Sequence, residues 1–102
     1  MILSGSNRLF HASFGVFEGE AVTVRLRIAR AYAVYFVNRS WHPSQKTEVN
    51  HRGELLLTLQ VPLSPELITW ILGWHEAITA LSPDTLIEEI KHKLDQTRRL
   101  YE

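Results

Sequence analysis

In the stretch Ala21-Val22-Thr23-Val24-Arg25-Leu26-Arg27-Ile28, the residues Val22, Val24, Leu26 and Ile28 fall on one side and Thr23, Arg25 and Arg27 on the other. A strict period of two, carried largely by β-branched residues, marks a strand with one buried and one wet face. Glu54 to Val61 repeats the pattern, with Leu55, Leu57, Leu59 and Val61 opposed to Glu54, Leu56, Thr58 and Gln60. Between these two strands, Arg30 to Asn38 places Ala33, Phe36 and Val37 at helical spacing. A short helix is expected there, ending before Trp41-His42-Pro43. Gln45 to Asn50 reads as another strand. Asn50-His51-Arg52-Gly53 supplies residues that tolerate positive φ, so it should close a hairpin.

Downstream, Ser64-Pro65-Glu66 pairs a capping hydroxyl with a proline at the first helical position. The helix that follows should bury Leu67, Ile68 and Ile71 and stop at Gly73. Glu76 to Leu81 reads as a short strand. Ser82-Pro83-Asp84 repeats the helix-start chemistry. A last helix, Pro83 to about Tyr101, sets Leu86, Ile90, Leu94 and Tyr101 on one stripe, with Lys and Arg in its final turns. The order β-α-β-β-α-β-α implies an α+β fold: a ferredoxin-like βαββαβ sandwich with an additional C-terminal helix. In that topology the first and third strands are central. The terminal helix has an apolar stripe left over for a sheet edge or a second subunit. Residues 1–20 are expected to form a lead-in whose Phe10, Phe14 and Phe17 dock on the body, residues 21–102.

The chain has 102 residues, no cysteine, 45% hydrophobic residues, and 11 basic against 11 acidic side chains. Such a length supports one domain with a core of its own. Without cysteine there is no disulfide scaffold, thiolate metal site or thiol nucleophile. The longest mainly apolar run, Ala29 to Val37, is far short of the ~20 residues of a membrane span. Met1-Ile2-Leu3 lacks the basic and apolar regions of a secretion signal, so a cytoplasmic location is expected. Zero net charge argues against autonomous binding of duplex nucleic acid. It conceals an asymmetry, however: residues 1–53 carry a net charge of +4 and residues 54–102 a net charge of −4. Charge segregated along a sequence hints that one surface meets an anion.

Further residues add a family resemblance. Ser13-Phe14-Gly15-Val16-Phe17-Glu18-Gly19-Glu20 leads into Val24-Arg25-Leu26-Arg27. Then come Trp41-His42-Pro43-Ser44-Gln45, the Gly53 hairpin, Trp70-Ile71-Leu72-Gly73, and Ser82-Pro83 before the terminal helix. Together they resemble the C-terminal extension (WCX) domain of WYL-domain transcriptional regulators of bacteria, from about Phe10 to Tyr101. The Trp-His-Pro-Ser-Gln block followed by a hairpin is the most specific part. The resemblance implies a non-enzymatic regulatory domain. In such regulators a winged helix-turn-helix binds the promoter, while a WYL barrel and this extension form the sensing and dimer-forming half. It also implies partners: the WYL barrel of a parent regulator, a second copy, and a single-stranded nucleic-acid or nucleotide effector. Neither the helix-turn-helix nor the barrel is part of this chain, which reads as a fragment or truncated product of such a regulator.

The candidate effector residues are Arg25, Arg27, Trp41, His42 and Arg52. Arg25 and Arg27 project from the same face of a central strand, about 6.5–7 Å apart. With Thr58 and Gln60 beside them, the two guanidiniums could clamp phosphates through charge-assisted hydrogen bonds. The plainer reading is a solvated strand face. Trp41, flanked by basic groups, could stack a base; more commonly a Trp there plugs the end of the core and its ring N–H finds a carbonyl. His42-Pro43-Ser44-Gln45 reads as a turn whose side chains cap the backbone. Trp70 is most simply core, and Trp74, beyond the helix stop, is the better candidate for an exposed contact. The five histidines show no zinc spacing, and no nucleophile elbow, phosphate loop or dinucleotide fingerprint occurs, so neither cofactor nor metal is expected. Two alternatives stay open: an assembly module with no ligand, and an ACT-like domain that binds a small molecule.

Overall fold

The structure, a computed structural model, describes residues 19–102. The lead-in and its Phe10, Phe14 and Phe17 lie almost wholly outside the described residues. Strands β1 (Val22–Ile28), β2 (Lys46–Val49), β3 (Leu55–Val61) and β4 (Ile78–Ser82) form one antiparallel sheet in the order β2-β3-β1-β4. Helices α1 (Arg30–Val37), α2 (Pro65–Gly73) and α3 (Asp84–Arg99) complete the ferredoxin-like order with its extra terminal helix. As the alternation requires, β1 and β3 are the central strands.

Their register places like with like. Val22 faces Val61, Val24 faces Leu59, Leu26 faces Leu57 and Ile28 faces Leu55, and of these eight only Val22 is not buried. Phe36 of α1, Leu67, Ile68 and Ile71 of α2 and Leu86 of α3 close the core over this face. The driving force is apolar surface withdrawn from water, roughly 25 cal/mol per Å². A one-residue slip of β1 against β3 would turn the whole apolar set outward, which is why the register is strongly specified. At the β2–β3 hairpin, Gly53 holds φ +79, and the Asn50 side-chain oxygen accepts hydrogen bonds from the N–H groups of Arg52 and Glu54. The Arg30 side chain lies so close over Gly53 that an added Cβ would stand 3.3 Å from it.

Ser64 caps α2 as expected: the Leu67 N–H donates to its Oγ at 3.1 Å, and Pro65 opens the helix. Other details depart from the sequence reading. Gly73 is still helical and its φ is not positive; the left-handed residue is His75, at φ +56, inside a 3₁₀ turn (His75–Ala77) that replaces the start of the expected Glu76–Leu81 strand. The Ala77 N–H closes that turn on the Trp74 carbonyl at 3.0 Å, and the Ala29 N–H, distant in sequence, donates to the Ala77 carbonyl at 2.8 Å. Ser82 ends β4 instead of capping α3, whose N-cap is Pro83 with Asp84 in the first turn. Val37 is half exposed, so α1 buries only Phe36 fully. Of the terminal stripe, Leu86 is buried and Ile90 half-buried, while Leu94 and Tyr101 are exposed. The helix packs on edge strand β4 and on α2.

Because nothing lies within 4 Å of a Cβ built at Gly73, Gly73→Ala is expected to leave stability unchanged or raise it by up to about 1 kcal/mol. Urea unfolding checks this. A loss above that size would mean that Gly73 holds a conformation only glycine tolerates.

Candidate phosphate-binding sheet face

The sheet face turned away from the helices carries the polar half of each alternation. Two rows cross it. Lys46, Thr58, Arg25 and Ser82 align across β2, β3, β1 and β4; one pleat along, Glu48, Leu56, Arg27 and Thr79 do the same. Two strand spacings of ~4.8 Å set the Lys46 and Arg25 backbones about 10 Å apart, with the Thr58 hydroxyl between them. Both cationic side chains are exposed, and among the described residues neither makes an ion pair. Arg27 differs: its Nε lies 3.9 Å from the Glu54 carboxylate, which also accepts from the Asn50 amide at 3.0 Å. Its charge is thereby partly answered, and the pair ties β1 to the hairpin base. At the other end of the face, the Thr23 hydroxyl donates to the Gln60 side-chain oxygen at 3.0 Å.

Trp41 lies on the opposite side of the sheet. Its ring packs 5.2 Å from Phe36, 5.4 Å from Trp70 and 5.9 Å from Trp74, and Trp74 is itself 4.8 Å from Phe36. Trp74 is therefore part of an aromatic cluster and not a projecting contact. Tyr35 joins the cluster and carries the Arg39 guanidinium 4.1 Å above its ring. The indole N–H of Trp41 is buried without a hydrogen-bond partner among the described residues, although a carbonyl partner was expected for it.

The Trp-His-Pro-Ser-Gln block works as a loop clamp. The Gln45 side chain accepts from the Trp41 N–H at 2.8 Å and donates to the Arg39 carbonyl at 2.9 Å. Ser44 Oγ accepts from the Gln60 N–H at 2.9 Å, beyond the point where β2 can satisfy it, and lies 2.7 Å from His42 Nδ1. The Ser44 N–H donates to the same nitrogen at 3.1 Å, which assigns the Nδ1 lone pair as acceptor. The serine is thus engaged in backbone capping, as its turn setting implied. Arg52 sits at the exposed hairpin tip, beyond the strand ends, where its N–H donates to Asn50.

The structure therefore brings Arg25 and Arg27 together on one face and places Trp41, His42 and Arg52 elsewhere. It adds Lys46, which was not among the five candidates. The signal for it was present: Lys46-Thr47-Glu48-Val49 alternates, and the hairpin register sets Lys46 opposite Thr58.

Among the described residues, no helix is long and apolar enough to cross a membrane, and no three His, Cys, Asp or Glu side chains converge as a metal site would require. No curated protein matches the chain. The family model of the WCX domain, however, matches residues 20–97, which is the sheet, both sandwich helices and nearly all of α3. The chain belongs to the WCX domain family, the regulatory C-terminal domains of WYL-type transcription regulators.

Proposed function

We propose that this WCX domain is non-enzymatic and contributes a phosphate-binding surface to effector sensing, the effector being a single-stranded nucleic acid or nucleotide. The observation that carries this reading is the Lys46-Thr58-Arg25 row: two exposed cations, one on edge strand β2 and one on central strand β1, flank a hydroxyl on β3. Phosphate oxygens accept charge-assisted hydrogen bonds from both cations, and strands hold such donors more firmly than loops do. Arg27 contributes where the ligand competes with Glu54 for its guanidinium. Zero net charge limits the affinity of the domain alone, so the site is completed by a neighbouring domain, in the family's architecture the WYL barrel. The exposed Leu100 and Tyr101 just beyond α3 suit docking on that barrel or on a second copy.

The test is titration of a short fluorescent thymidine single strand at low salt. An Arg25→Ala/Lys46→Ala double variant should bind at least about tenfold more weakly, because hydrogen bonds to charged groups contribute roughly 1.5–3 kcal/mol each. Equal binding by the variant, or no binding by the unaltered chain even when supplied with a WYL barrel, removes this role.

A further inference from the structure

Along the edge strand, α3 leaves a groove that is apolar inside and cationic at its rim. Ile71 and Leu72 of α2, Ile78 and Ala80 of β4, and Ile90 and Leu94 of α3 line a space of about 630 Å³. Small-ligand sites occupy roughly 300–1,000 Å³ and are lined in this mainly apolar way. The ionisable residues that line it are His75 and Lys91, with no carboxylate among the lining residues. Glu88 does approach Lys91, at 3.6 Å, but both side chains are mostly exposed. Such a surface pair holds its partners weakly and gives way to a better-placed anion.

His75 sets this rim apart. At φ +56 it occupies the left-handed region, which is uncommon for any residue but glycine. Two positions earlier, Gly73 sits in ordinary helix, where its freedom is unused. The chain thus carries glycine where the backbone does not need it and a histidine where glycine would be relaxed. An exposed side chain kept on a strained turn at the mouth of an apolar groove points to a role for that side chain.

We propose that this groove binds a small amphiphile bearing one carboxylate, with its alkyl or aryl body among the aliphatic side chains and its carboxylate at the Lys91 and His75 rim. The chemistry of the rim selects the occupant: the Lys91 ammonium and the His75 ring, without a lining acid, complement an anion, and the volume suits a small molecule. The site shares no residue with the Lys46-Thr58-Arg25 row and stands whether or not that row binds nucleic acid.

The experiment titrates the full chain, labelled with nitrogen-15, with octanoate and separately with uncharged 1-octanol, reading backbone amide shifts. Octanoate should give saturable shifts confined to the end of α2, the His75 turn, β4 and α3, and octanol should bind at least about fivefold more weakly. Lys91→Glu and His75→Gly should each weaken octanoate about fivefold or more. His75→Gly relaxes the turn, so its fold is retained, and Arg25→Ala should bind octanoate unchanged. Absence of saturable shifts overturns the proposal, as does octanol binding as tightly as octanoate. So does full octanoate affinity in His75→Gly. Groove resonances that move with protein concentration alone would assign the groove to a second copy and overturn it equally.

Discussion

Phe36→Ala should destabilise the domain by about 3–5 kcal/mol, the usual range for emptying a buried aromatic site. Phe36 is fully buried, is the one buried residue of α1, and touches four other rings: Tyr35, Trp41, Trp70 and Trp74. Removing it takes away the apolar area of the ring and leaves a cavity whose walls are bulky indoles that cannot collapse inward easily. A domain of this kind has a total stability of roughly 5–15 kcal/mol, so the loss would be a large part of it. Val34→Ala, on the same helix but 72% exposed, should stay within about 0.5 kcal/mol and serves as the control. Urea unfolding followed by tryptophan fluorescence measures both. Equal effects from the two substitutions would mean that α1 is not anchored through Phe36.

Gln45→Ala should cost about 2–3 kcal/mol. One side chain here satisfies two backbone groups of the loop between α1 and β2, the Trp41 N–H and the Arg39 carbonyl. Its loss leaves the Trp41 amide without this partner in a part-buried setting and the Arg39 carbonyl in an exposed one, and each stranded group costs roughly 1–3 kcal/mol, less where water can reach it. Arg39 is exposed and Trp41 is not, so most of the loss is expected from the Trp41 amide. Gln45→Glu keeps an acceptor for Trp41 but no donor for Arg39, and should fall between the two. Equilibrium unfolding of both variants is the check. A loss below about 0.5 kcal/mol for Gln45→Ala would show that water replaces the clamp.

These two cases mark what could be read from residues alone. The alternations of Val22–Ile28 and Leu55–Val61 are local signals with a fixed physical meaning, and the Ser64-Pro65 start is equally local; all three appear as read. The turn after α2 was not legible. The turn is fastened to the end of β1 by the Ala29–Ala77 hydrogen bond, which joins residues far apart in the chain, and its left-handed residue is His75, two positions beyond the glycine that the local pattern offers as the stop. The site divides in the same way. Strand parity places Arg25 and Arg27 on one face, and the hairpin register adds Lys46 to it. The side of the sheet that Trp41 joins is decided by how the α1–β2 loop returns and by the rings waiting there, which no local pattern encodes.

The salt dependence of single-strand binding tests the phosphate role of the sheet face most directly. For single strands the slope of log affinity against log salt changes by roughly 0.7 for each phosphate contact. Removing Arg25 and Lys46 together should therefore make the slope shallower by about 1.4, with a fold unchanged by circular dichroism. An unchanged slope in the double variant would contradict the account, because the cations on this face would then not be meeting phosphate.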